Sequence, residues 1–168
     1  MKLNNVKRYS TEEIYYEIAL RNEVSGYPLI KIAETLSILS KSIVNRIFNE
    51  VYFVVITNNI MGGCLPLRSD ELKNKKAIIF FPWWIFKPEY DENRVRNIIL
   101  HELAHYILKH ERITNMTAMF KNKMAIPMNE WGKLNTIQVT MTDMYADELV
   151  DKWLNKYLKD TNNNIKVE

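Results

Sequence analysis

The chain has 168 residues, of which 47% are hydrophobic and 26% are charged, and its formal net charge is +3. These values are typical of one globular domain, so we expect residues 1–168 to form a single domain with about the last eight residues as a frayed tail. The small charge favours neither nucleic acid nor a membrane surface as a partner, and the longest apolar run, Ala77–Phe86, is too short to span a bilayer as a helix. The single cysteine, Cys64, excludes an internal disulfide. Together with a polar N-terminus, it predicts a cytoplasmic location.

Two helices are predicted in the first third of the chain. Ser10 and Glu13 have the spacing of a capping box, and apolar residues recur at helical intervals from there to about Gly26. After Pro28, apolar residues again recur every three or four positions, which predicts a second, longer helix that ends near Glu50.

A small sheet is predicted next. Val51–Thr57 is rich in β-branched and aromatic residues and predicts a strand. Ile60–Leu67 can form the return strand of a hairpin, although two glycines and a proline mark it as an irregular edge. The polar segment Arg68–Lys76 predicts a loop, and Ala77–Pro82 predicts a third strand.

Helical periodicity returns in the second half. Asp91 is a suitable N-cap for a helix that runs to about His110, whereas Glu111–Met128 has no assignable pattern. Thr142–Asp160 carries aromatic and apolar residues at four-residue steps and predicts a C-terminal helix. Helices followed by a small sheet and further helices indicate an α+β fold.

The motif that carries chemistry is HELAH, on the first of these two helices. All three histidines of the chain lie between His101 and His110, and His101 and His105 share one helix face, where they can hold one metal ion jointly. In H-E-x-x-H metallopeptidases the glutamate, here Glu102, takes a proton from a metal-bound water whose pKa the metal lowers from about 16 to about 7. The alternative is a pair of ordinary hydrogen-bonded histidines on a buried helix.

A catalytic zinc site needs a third protein ligand. The metzincin spacing would require glycine at 108 and histidine at 111, where this chain has Leu108 and Glu111. His110 lies about 140° around the helix from His105, so we expect it at the helix C-terminus, where the dipole favours a cation. No histidine follows, and the third ligand has to be an acid.

The C-terminal helix carries two acids one turn apart, Asp143 and Asp147. HELAH followed by this D-x-x-A-D segment resembles the H-E-x-x-H plus E-x-x-A-D arrangement of gluzincin-type zincin metallopeptidases. The small size, the N-terminal helix and the short sheet resemble the ImmA/IrrE group of bacterial and phage-related peptidases. The resemblance implies that His101, His105 and Asp143 hold one Zn²⁺ ion. It further implies that Glu102 is the catalytic base and that Asp147 orients a ligand histidine.

The acidic segment departs from the resembled pattern at one position. Asp143 stands where the pattern has glutamate, which is longer by one methylene. Either the two helices approach more closely, or another acid coordinates, with Asp147 as the next candidate. Alternatively, Asp143 and Asp147 lie on a solvent-exposed face of the helix and bind no metal.

Two functions remain open at this stage. The first is a zinc-dependent peptidase acting on a protein or peptide substrate, and the second is a non-catalytic, metal-stabilised regulatory or interaction protein. Glu102 favours the peptidase, because a structural metal site has no need of a base. The oligomeric state is not predicted.

Aromatic residues near the motif are candidates for substrate contacts. Trp83, Trp84 and Phe86 either line an apolar subsite or pack in the core. Candidates for stabilising a developing oxyanion are Tyr106, Tyr145 and Tyr157.

Overall fold

The computed structural model describes residues 7–57, 63–66, 75–108 and 136–165. These residues form five α-helices and a three-stranded sheet, which confirms the α+β class. The elements in chain order are α1 (Thr11–Arg21), α2 (Gly26–Ser37), α3 (Lys41–Glu50), β1 (Val51–Ile56), β2 (Gly63–Pro66), β3 (Ala77–Pro82), a 3₁₀ turn (Trp83–Phe86), α4 (Glu92–Leu108) and α5 (Thr136–Ile165). His110 and the unassigned segment Glu111–Met128 lie outside the described residues.

The first helix begins at the predicted capping box. The Ser10 hydroxyl accepts the N–H of Glu13, and the Glu13 carboxylate accepts the N–H of Ser10. The helix extends only to Arg21, short of the glycine that was predicted to end it. The reason is Asn22, whose side-chain amide donates to a carbonyl of the last turn and accepts the N–H of Phe53 in β1. A contact with the sheet therefore ends α1.

The single long helix predicted between Pro28 and Glu50 is wrong, because the structure has two helices separated by residues 38–40. The last of these residues has an extended backbone, with φ −66° and ψ 150°, and serves as the N-cap of α3. The N–H of Lys41 donates to the carbonyl of Lys7, 2.9 Å away. This tertiary contact breaks the helix without interrupting the apolar pattern.

The predicted hairpin between the first two strands is also wrong. Strand β3 lies in the centre of the sheet, parallel to β1 and antiparallel to β2. Gly63 of β2 allows a close approach to Phe80, since a Cβ at that position would lie 2.7 Å from the phenylalanine ring. Strand β2 is nonetheless an edge strand, as its proline predicted.

Helix α4 follows β3 after the 3₁₀ turn and is anchored at both ends of its described span. Its N-cap is Asp91, as predicted, whose carboxylate accepts the N–H of Arg94. Buried Lys31 of α2 contacts Glu92 in the first turn at 2.7 Å. Near the other end, the Tyr106 hydroxyl donates to Glu50, the last residue of α3. The position of α4 is thus fixed by polar contacts as well as by its buried apolar face.

Glu50 is the centre of the polar cluster that anchors α4. Besides the bond from Tyr106, its carboxylate accepts bonds from Lys76 at 2.5 Å and from Arg46 at 3.0 Å. Burial raises the pKa of Glu50, but the bonds from Lys76, Tyr106 and Arg46 outweigh burial and lower the pKa to about 2. The ionised carboxylate therefore stabilises the fold.

We expect Glu50→Gln to lower the free energy of unfolding at pH 7 by about 3 kcal/mol. The folded pKa lies below the unfolded value of 4.5, so the stabilisation is complete above about pH 4.5 and is lost as the pH falls toward 2. Urea unfolding of both proteins between pH 7 and pH 2.5 measures this difference, and Glu148→Gln, at an exposed position, serves as the control. A stability difference that does not change with pH would contradict this role of Glu50.

Helix α5 is longer than predicted at both ends. It begins at Thr136 and continues to Ile165, into the segment predicted to be a frayed tail. The guanidinium of Arg8 lies 2.6 Å from the carboxylate of Asp160 and also sits over the ring of Tyr157. A contact with the N-terminal part of the chain thus stabilises the end of α5. Within the described ranges, no helix has both the length and the apolar character that crossing a membrane requires.

Candidate metal centre

Three potential metal ligands from two helices converge at one point. His101 and His105 lie on α4, and their Nε2 atoms are 3.0 Å apart. Asp143 lies on α5, and its Oδ1 is 3.7 Å from the Nε2 of His101 and 3.4 Å from the Nε2 of His105. The structure therefore brings together the two histidines and the acid that the sequence proposed as ligands.

The spacing of these three atoms fits a tetrahedral zinc ion. Nitrogen and oxygen ligands bind zinc at about 2.0–2.1 Å, which places two ligands of a tetrahedral site about 3.3 Å apart. The observed edges of 3.0, 3.4 and 3.7 Å bracket that separation. The two longer edges, from Asp143 to the rings, are at or beyond the usual range for a hydrogen bond. The carboxylate thus lies where a shared cation would hold it.

Asp147 contacts the opposite side of the first imidazole. Its Oδ1 is 2.9 Å from the Nδ1 of His101. A carboxylate can only accept, so Nδ1 carries the ring proton and Nε2 of the neutral ring keeps a lone pair for a metal. Asp147 thus contacts His101 on the ring nitrogen that points away from the three converging ligand atoms.

The aspartate at position 143 reaches both histidines despite its short side chain. Its Oδ1 lies within 3.7 Å of both Nε2 atoms, whereas Asp147 contacts the Nδ1 atom of His101. Of the acids left open by the sequence, Asp143 is therefore the one that lies beside the Nε2 atoms of both imidazoles.

Two acids beside the histidines have raised pKa values. Burial raises the pKa of Glu102 to about 7, an effect that His101 opposes and Asp143 increases. Burial likewise raises the pKa of Asp143, with His101 opposing and Asp147 adding to the rise. A divalent cation between these groups would favour their ionised forms and lower both pKa values.

A cleft of about 510 Å³ opens beside the candidate ligands. His101, Glu102 and Asp147 line one end of it, and the remaining lining comes from the end of β3, the 3₁₀ turn and the first half of α4. Ile98 and Arg94, one and two turns before Glu102, also line the cleft; Ile98 was predicted only as part of the apolar surround of this helix, and Arg94 was not predicted at the site. A four-residue step back along the predicted helix would have found both.

The aromatic residues near the motif have three different environments. Trp84 lines the cleft, Phe86 is buried in the core, and Trp83 is 43% exposed with the ammonium of Lys87 over its ring. Phe86 therefore belongs to the core, as one of the two interpretations predicted, whereas Trp84 both packs against the core and lines the cleft.

None of the three tyrosines proposed as oxyanion ligands faces the site. Tyr106 is buried and its hydroxyl bonds Glu50. Tyr145 is two residues from Asp143, and thus about 200° around α5, while Tyr157 is about 21 Å along that helix. Helical phase alone would have separated Tyr145 from the ligand face, and distance along the helix would have separated Tyr157.

Comparison of the chain with protein-family models, with curated proteins and with solved structures finds no match. The zincin resemblance therefore stays a prediction, and functional inference depends on the geometry of the site.

Asp147→Asn is expected to weaken zinc binding by about 10–100-fold. The amide can donate to Nδ1 of His101 through its nitrogen, which would favour the ring tautomer that carries its proton on Nε2 and so has no lone pair there for a metal. Competition with a zinc-binding dye measures the affinity of both proteins. Equal affinities would show that Asp147 does not orient the ligand.

Proposed function

We propose that this chain is a zinc-dependent peptidase of the zincin type, with His101, His105 and Asp143 as the metal ligands. The observation that supports this most is the triangle of two imidazole nitrogens and one carboxylate oxygen with edges of 3.0, 3.4 and 3.7 Å. Two histidines and one carboxylate are a ligand set of catalytic zinc sites, which keep a further position open for water or substrate. The proposed substrate is a protein or a peptide.

The residues around the ligands have separate roles in this proposal. When bound, zinc supplies Lewis acidity, which acidifies water and polarises a carbonyl oxygen. Glu102, which lines the cleft beside His101, takes the proton of the attacking water and delivers it to the leaving amine. Asp147 holds the ring of His101 in place through Nδ1. The cleft beside Glu102 receives the substrate.

A non-catalytic regulatory or interaction protein is the second candidate function. The observation that favours it is a group of exposed apolar side chains on the N-terminal helices, which are Tyr16, Leu20, Tyr27 and Ile30. Such side chains can bind a partner protein. The position of Glu102, half-buried beside the candidate ligands and lining a cleft, supports the peptidase instead.

Metal removal and restoration test the proposed function. The protein is expected to bind one zinc ion and to cleave an unfolded protein such as reduced casein. Dialysis against a chelator should abolish cleavage, and one equivalent of zinc should restore it. A protein that binds zinc but cleaves no member of a broad peptide library would favour the second function.

A further inference from the structure

We propose that Tyr106 is a positioning residue of the metal centre. The hydrogen bond from its hydroxyl to Glu50 sets the rotation of α4 about its own axis, and so sets where both histidine ligands lie. This role rests on the metal site of the proposed function. It goes beyond the stability that Glu50 gives to the fold, because it concerns the affinity of the folded protein for a metal ion.

Tyr106 is the residue next to a candidate ligand. It follows His105 directly, about 1.5 Å along α4 and about 100° around it, so it leaves the helix on a different side from the ligands. Its side chain is buried, and its hydroxyl donates to Glu50. The anchor at the start of α4, Glu92, precedes His101 by nine residues, or about 14 Å along the helix. The bond of Tyr106 is therefore the closer of these two anchors to the ligands.

Glu50 is itself held to the sheet. It is the last residue of α3 and directly precedes β1. Its backbone carbonyl accepts the N–H of Lys76, the residue before β3, at 2.7 Å, and its carboxylate accepts a bond from the ammonium of the same residue. Arg46 also bonds the carboxylate, and its guanidinium carbon lies 5.2 Å from the centroid of the Tyr106 ring. The bond of Tyr106 thus ties α4 to the start of the two parallel strands.

A small rotation of α4 would disturb the candidate metal site. Side-chain atoms lie about 5–6 Å from a helix axis, so a rotation of about 10° moves a ligand nitrogen by about 1 Å. Metal–ligand distances have to stay within about 0.2 Å of their usual values. The apolar contacts that bury α4 are non-directional, whereas a hydrogen bond weakens steeply as its angle changes. A directional bond beside the ligands therefore restricts this rotation more than apolar packing does.

Cobalt binding to a tyrosine variant tests the positioning role. Zn²⁺ has a filled d shell and no visible absorption, so Co²⁺, whose visible absorption depends on coordination geometry, replaces it. Tyr106→Phe removes the hydroxyl and keeps the ring. We expect it to weaken Co²⁺ binding by about tenfold, the lower end of the usual loss when a group that orients a ligand is removed. The visible absorption bands of the bound cobalt should also change in shape.

Tyr9→Phe is the matched control. It also removes a tyrosine hydroxyl and one hydrogen bond, to Asn45 at 2.7 Å, and both of these residues lie outside α4 and α5. Its cobalt affinity and spectrum should equal those of the wild type. Urea unfolding of each metal-free protein checks that it is fully folded at the start of the titration, where a loss of stability alone does not lower the affinity.

Glu50→Asp tests the same bond from the acceptor side. It keeps the negative charge but withdraws the carboxylate from the Tyr106 hydroxyl by one methylene. We expect it to change the cobalt affinity and spectrum in the same direction as Tyr106→Phe. It replaces that variant if Tyr106→Phe does not fold.

The outcomes separate the positioning role from the peptidase function. A folded Tyr106→Phe protein with the affinity and spectrum of Tyr9→Phe, or an equal loss in both, would overturn the positioning role alone. A wild type that binds cobalt but cleaves no peptide would overturn the peptidase, while the variants would still decide the positioning role. A wild type that binds no cobalt would overturn both.

Discussion

Glu102→Gln is expected to reduce peptide cleavage by about 10²–10⁴-fold, the usual contribution of a general base. Glutamine has nearly the same shape as glutamate but cannot accept the proton of the attacking water. Glu102 is not among the three side chains that converge as candidate ligands. Zinc should therefore remain bound to the variant with an affinity close to that of the wild type.

The measurements are kcat/KM on a quenched fluorescent peptide and the zinc content after gel filtration. Glu148→Gln is the matched control, since Glu148 is exposed on α5 and does not line the cleft. It should cleave at the wild-type rate. If Glu102→Gln cleaved as fast as this control, Glu102 would not be the base.

Asp143→Ala is expected to weaken zinc binding by more than about 100-fold, which exceeds the usual effect of losing a residue that only orients a ligand. The substitution removes Asp143, the only oxygen donor among the three candidate ligands, and leaves two histidines to hold the ion. Asp143→Glu should retain more affinity than the alanine variant, because it keeps the carboxylate and matches the residue of the resembled pattern.

Competition titration with a zinc-binding dye compares these variants with Asp151→Ala, which removes an exposed acid from the same helix. The control should bind zinc like the wild type. If Asp143→Ala and Asp151→Ala had equal affinities, the acid on α5 would not be a ligand.

The parts of the fold that the sequence predicts correctly depend on contacts within a few residues. Ser10 and Glu13 cap each other across three positions, and the four-residue step in HELAH places His101 and His105 on one face whatever the rest of the fold is. The acidic pattern on α5 offered both Asp143 and Asp147, and it was the resemblance that implied Asp143 as the ligand.

The parts that the sequence did not predict depend on contacts between distant residues. At the break between α2 and α3, the backbone N–H of Lys41 donates a hydrogen bond to the carbonyl of Lys7. The helical spacing of apolar residues continues across this break, so the sequence pattern does not reveal it. Strand β2 pairs with β3, where Gly63 lies opposite the ring of Phe80. Turn residues between β1 and β2 carry no information about this contact. Predicting the cleft would have required knowing that the end of β3 and the start of α4 lie together in space.

A crystal structure of the protein grown with zinc, with anomalous data collected on both sides of the zinc absorption edge, tests the central claim most directly. We expect a single anomalous peak within about 2.2 Å of Nε2 of His101, Nε2 of His105 and a carboxylate oxygen of Asp143. A zinc ion bound elsewhere, or one held by the histidines with Asp143 turned away, would contradict the account.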